Sequence, residues 1–136
     1  MLRRLFLTPL LILAWHAGAT AASLVEQYAE SAAKEANAAY QRTPPDDGVT
    51  RSARAYAAGG TLVHEYVLAI RSNVTERELQ TWRASVRSEV IPQSCAFLKN
   101  DQFFNSRGFQ VRYRYINRSG QVLDEFTVNK PACQGL

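Results

Sequence analysis

What most constrains this chain is that its two cysteines, Cys95 and Cys133, stand behind an export signal. Met1-Leu-Arg-Arg places two positive charges ahead of an apolar run from Leu5 to Trp15, and small residues from Ala17 to Ala22 then offer A-x-A cleavage options. The run spans 11 residues with Pro9 inside it, too short for a hydrocarbon core of roughly 30 Å. The expectation is a signal peptide over residues 1–21, removed after Ala19-Thr-Ala21, with Ala17-Gly-Ala19 and Thr20-Ala-Ala22 as rival sites. No cysteine adjoins the junction, so no lipid anchor is expected. Residues 22–136 are the size of one small domain with a single modest core.

Export changes how the remaining residues are read. Two cysteines in an oxidising compartment most simply form one disulfide, Cys95 to Cys133. It would close a loop of nearly forty residues, worth roughly 3 to 4 kcal/mol in the chain-entropy model. A reactive thiol would need a CxxC spacing or a nearby base, and neither is visible. The whole chain carries a formal net charge of +4. Loss of Arg3 and Arg4 leaves 14 Lys plus Arg against 12 Asp plus Glu, a net +2. Nucleic-acid binding by bulk charge thus loses its support. No later apolar run is long enough to span a membrane, since His64 and Glu65 interrupt Leu62 to Ile70.

The pattern predicts an α+β domain. Ser23-Leu-Val-Glu26 fits a capping box, and Leu24, Tyr28, Ala32, Ala36 and Tyr40 recur at helical spacing until Pro44 and Pro45. Val49 to Ala57 and Thr61 to Arg71 read as a hairpin about Gly59-Gly60. In its second arm Leu62, His64, Tyr66, Leu68 and Ile70 share one face, and apolar residues on both faces predict a central strand. Thr75-Glu-Arg-Glu78 is a second capping box, opening a helix that Pro92 is expected to interrupt. A third helix is expected from Pro92 to about Asn105, with Cys95, Leu98 and Phe97 inward. Phe109 to Asn117 alternates, Asn117-Arg-Ser-Gly120 supplies a turn, and Val122, Phe126 and Val128 belong to a last strand. Folding that hairpin sets Tyr113 near Phe126 and Arg112 or Arg114 opposite Glu125. The order α-β-β-α-α-β-β predicts a four-stranded antiparallel sheet with about three helices packed mainly on one face.

Little of this carries chemistry. His64 is the only histidine after cleavage, set mid-strand among apolar neighbours, and reads as a hydrogen-bonded structural residue. One histidine with two distant cysteines gives no metal site, and Asp46-Asp47-Gly48 lacks the rest of a calcium loop. Glu76/Glu78 and Asp124/Glu125 do not form a dyad, because the first pair serves a helix start and the second points to opposite sheet faces. No catalytic residue, cofactor or metal is assigned, and the expectation is a protein without enzymatic activity. The row Arg112, Arg114 and Arg118, interleaved with Tyr113 and Tyr115, is the candidate surface for an acidic partner. Its plain alternative is a solvated sheet face balanced by Glu125 and Asp124.

Pro45 through Asp47 with Thr50-Arg51, the Tyr66 strand, Cys95, Gly108 with Tyr113-Arg-Tyr115, Gly120 and the late Cys133 together resemble a known group. The chain is similar over nearly all of residues 22–136 to the quorum-sensing-regulated virulence factor family of pseudomonads. The resemblance implies a secreted factor that is made in step with cell density and acts on host cells through a protein partner. Its motifs are structural, and no catalytic residue carries over. The alternative expectation is a periplasmic binding or inhibitor module, neutralising a toxin or lysozyme or assisting secretion.

Overall fold

Locally locked turns and caps set the elements. The structure, a computed structural model, describes residues 22–136, and the signal peptide read over 1–21 lies outside them. Ser23 Oγ accepts from the Glu26 amide at 3.3 Å to open α1 (Leu24–Arg42). Gly59, at φ +59°, closes the two-residue turn between β1 (Thr50–Ala58) and β2 (Thr61–Leu68), a left-handed conformation glycine takes without strain. Thr75 and Glu78 form the reciprocal capping box of α2 (Glu76–Leu98). The short α3 (Gln102–Ser106) leads to β3 (Gln110–Asn117) and β4 (Val122–Val128), and α4 (Lys130–Cys133) closes the described chain.

The sheet order is β1-β2-β3-β4, which makes β2 a central strand. The expectation of a wholly antiparallel sheet is corrected at its middle. β1 and β2 pair antiparallel, as do β3 and β4, but β2 and β3 run parallel with Leu62 opposite Val111 and Tyr66 opposite Tyr115. The reason is the long connection: α2 and α3 return the chain along the sheet, so β3 starts from the same end as β2.

Two further expectations change. α2 runs unbroken through Pro92 to Leu98, so the third helix is only the single turn at Gln102–Ser106. Pro92 is exposed and costs one backbone bond on the solvent side, while buried Ser94, Cys95 and Leu98 hold the far half of the helix on the core. Phe97, expected inward, is 85% exposed. It lies about 160° round the helix from Cys95 and about 100° from Leu98, outside the face that those two residues bury.

The core lies between one sheet face and the helices, with Ala29, Ala33, Leu62, Leu98, Phe104, Val111, Phe126 and Val128 buried in it. α1 packs on β1 and β2, and α2 on β4. Ala29 and Ala33 let α1 approach closely, and Asn37 bonds both the N–H and the C=O of Ala55 on the edge strand β1, at 2.7 and 2.8 Å. That bidentate amide occupies backbone groups that would otherwise invite a further strand. α2 is held to β4 by polar bonds: Arg87 makes two bonds to the buried Asp124 carboxylate, at 2.6 and 3.0 Å, and Arg83 Nε donates to the Leu123 carbonyl at 2.7 Å. Cys95 of α2 is joined to Cys133 of α4, so the exit of β4 is tied to the same helix.

That covalent tie closes a loop across a sequence separation of 38 residues. Replacing both cysteines by alanine is expected to lower the unfolding free energy by roughly 3 to 4 kcal/mol, read by urea denaturation. An unchanged midpoint, or two freely alkylated thiols in the native protein, would contradict the assignment.

Candidate functional site

Because α1 covers β1 and β2 while α2 sits over β4, a groove of about 580 Å³ opens between the two helices. Alternation along two parallel strands supplies its floor. Leu62, His64 and Tyr66 from β2 lie beside Val111, Tyr113 and Tyr115 from β3. Ala32, Glu35 and Ala36 form one wall, and Val90, Gln93, Ser94 and Phe97 the other. Tyr28 stacks on Phe103 at a centroid separation of 4.2 Å at one end, where its hydroxyl donates to Asp101. That bond, aided by burial, pushes the Tyr28 phenol up to about 12.

The floor is aromatic in body and polar at its tips. His64 stacks with Tyr113 at 5.4 Å and Tyr66 with Tyr115 at 5.1 Å. The Tyr40 hydroxyl lies 2.7 Å from His64 Nδ1 and 2.9 Å from the Tyr66 hydroxyl, and Ser94 bonds the Tyr113 hydroxyl from α2. Burial lowers the His64 pKa from 6.5 to about 4 and raises those of Tyr40, Tyr66, Tyr113 and Tyr115. A neutral imidazole accepting at Nδ1 lets Tyr40 donate to it and accept from Tyr66, so one relay satisfies all three groups. No carboxylate bonds His64 among the described residues, and Tyr40 is the partner of its Nδ1. Likewise, no cluster of three His, Cys, Asp or Glu side chains that could hold a metal ion occurs among the described residues.

The arginine row read from the sequence divides. Arg112 and Arg114 lie on the opposite sheet face, where Arg54, Glu65, Arg114 and Glu125 stand opposite one another across all four strands. Arg54 lies 2.7 Å from Glu65, Arg114 lies 3.2 Å from Glu65 and 2.8 Å from Glu125, and Arg112 bonds Thr127 at 3.3 Å. Acidic neighbours therefore already balance this pair. Asp124 takes no part, being turned through the sheet to Arg87. Arg118 is separated from both, on the turn after β3. The groove itself was not singled out from the sequence. Its signal was present in the polar-tipped rings at His64, Tyr66, Tyr113 and Tyr115, all at inward strand positions.

The depressed histidine makes stability depend on pH. The unfolded chain binds a proton near pH 6.5 that the folded chain refuses until about pH 4, so this contribution is intact above pH 6.5 and is lost as pH falls toward 4. The full loss is on the order of 3 kcal/mol. Urea denaturation between these limits is expected to show that slope, and His64→Gln to flatten it. An equal slope in both proteins would contradict the assignment.

No protein-family model matches the chain, and no curated protein matches it. Solved structures do match. The chain is similar to the pilotin EpsS of the Vibrio vulnificus type 2 secretion system, at 16% identity and a TM-score of 0.54 over 82% of this chain and 94% of that one. It is similar to a protein of Pseudomonas aeruginosa described as secreted, at 12% identity and a TM-score of 0.51 over 83% and 99%. The type II secretion pilotin AspS of Vibrio cholerae aligns at 23% identity with a TM-score of 0.46, over 80% and 92%. What the likenesses to EpsS and to the Pseudomonas aeruginosa protein establish is a shared fold.

Proposed function

We propose that this chain is an exported, non-enzymatic interaction protein of the secretion-accessory kind, which seats an apolar segment of a partner protein in the groove between α1 and α2. The observation that carries this reading is the groove itself: an aromatic floor left open between two helices, with Phe97 85% exposed on its rim. A large exposed ring beside an apolar trough is an anchor for a partner side chain or helix face. The charged lining residues, Glu35 and Asp101, are both acidic, so a segment carrying a lysine or arginine at its end is favoured. The fold likeness to a type 2 secretion pilotin supports the secretion-accessory part of the reading.

The resemblance to quorum-sensing-regulated virulence factors implies the same module acting outside the cell on a host partner. The fold likeness to the Pseudomonas aeruginosa protein described as secreted supports that second reading. Fractionation separates the two, since a protein held wholly in the periplasm cannot reach a host cell.

Phe97→Asp and Gln93→Trp alter the rim at exposed positions, the first removing the anchor and the second filling the trough. Capture of partners from bacterial envelope and host extracts is expected to fall by about 30-fold with Phe97→Asp, the loss of one aromatic hot spot, and comparably with Gln93→Trp. Capture unaffected by both would reject the groove as the binding site.

A further inference from the structure

We propose that a second cleft, at the end of the sheet where β2 and β3 finish, binds a phosphate group through Arg51, Arg71 and Arg118. The cleft measures about 410 Å³, and none of the residues lining it is acidic. Its three arginines come from three separate parts of the chain: the start of β1, the segment after β2 and the turn after β3.

Each arginine is presented by backbone that is locked locally. Arg51 is the extra residue of a β-bulge, since Thr50 pairs with Leu68 and Ser52 with Val67. Bulges re-aim a side chain out of the ladder. The residues before it are set by Asp47, whose carboxylate accepts from the amides of Val49 and Thr50 and from the Thr50 hydroxyl, at 2.8, 2.6 and 2.6 Å. Asp47 is thereby occupied with its own turn. Arg118 sits in a turn organised by Asn117, whose Oδ1 accepts from the amides of Ser119 and Gln121 at 3.1 and 2.9 Å. Arg71 is steadied by Glu78, itself fixed in the α2 capping box, through one bond at 2.7 Å from Nη2. Nε and Nη1 of its fork remain for a ligand.

Like charges converging on one cleft repel, and a multiply charged anion removes that cost. One guanidinium fork saturates the two oxygens of a carboxylate, whereas a tetrahedral phosphate has oxygens for several forks. Three arginines approaching from different elements therefore match phosphate better. Leu68, Ala69 and Ile70 line the cleft beside the arginines. The phosphate could be free or part of a lipid headgroup, and the two sources separate experimentally.

The test uses the purified protein with its disulfide intact. Titration with inorganic phosphate at low salt, followed by NMR of the Arg51, Arg71 and Arg118 side chains and the amides of residues 117–119, is expected to saturate. Arg51→Gln and Arg118→Gln should each weaken binding by about tenfold or more, whereas Arg112→Gln, on the outer sheet face, should not. Co-sedimentation with vesicles of phosphatidylcholine and phosphatidylglycerol in equal parts, against phosphatidylcholine alone, distinguishes the sources. Vesicle binding lost in the same two variants supports the site with a headgroup as its ligand; phosphate binding without vesicle binding supports it with the free anion. No saturable response to either probe overturns the proposal. So does a loss in Arg112→Gln equal to that in Arg118→Gln, which would reduce the effect to general charge.

Discussion

The position of α2 over β4 governs the rest of this molecule. A 23-residue helix with a proline in it could settle anywhere across an aromatic sheet face, because hydrophobic burial has little directional preference. Here it is held to one side by directional bonds: the two-pronged Arg87–Asp124 pair, the Arg83 bond to the Leu123 carbonyl, and the disulfide from Cys95 to Cys133. Arg87 also lies 5.2 Å over the Phe126 ring, adding attraction at the same place. With α2 fixed there and α1 drawn to β1 by its alanines and Asn37, the strip of β2 and β3 between them is only partly covered, leaving His64, Tyr66 and Tyr113 half-buried. The groove follows from where the helices are tied.

The two sheet faces solve different problems. The helix-facing side buries rings whose polar tips are paired among themselves, through the Tyr66, Tyr40 and His64 relay and the Ser94 to Tyr113 bond. Burial without those bonds would cost more than the rings gain. On the outer side, the described residues present long charged side chains of alternating sign along the row Arg54, Glu65, Arg114 and Glu125. Glu65, only 6% exposed, is shared by Arg54 and Arg114. The alternation keeps that face electrically quiet, which sets it apart from the cleft at the sheet end, where Arg71 alone of the three arginines is paired among the described residues, with Glu78.

Much of this was readable beforehand. The two capping motifs, Gly59-Gly60, the Asn117 turn and the alternation after Phe109 are local signals, and each produced its element within a few residues. The facing of Tyr113 with Phe126 followed from turn length and period, as did that of Arg112 or Arg114 with Glu125, between which the fold selects Arg114. Pro92 misled because the loss of one backbone bond on an exposed flank is offset by packing several residues further on, which no local rule sees. Phe97 misled because it was set inward with its neighbour Leu98, although each helix residue turns by about 100° and a core face fixed by Cys95 and Leu98 leaves that ring outside it. The groove had its residues in view but not their vacancy, since an uncovered strip depends on what fails to pack there.

By itself, then, the sequence determined the α+β class, the order of its elements and the faces on which strand residues fall, because caps, turns and periodicity act over a few residues. It also marked the two cysteines as partners, through the oxidising compartment that the export signal read over residues 1–21 would imply. Only the tertiary structure decided that β2 and β3 run parallel, that α2 stands aside to leave a groove, and that Arg118 joins Arg51 and Arg71 rather than Arg112 and Arg114. Those outcomes turn on which distant surfaces meet. Contacts of that kind are selected by the packing of the whole chain and leave no period in the sequence.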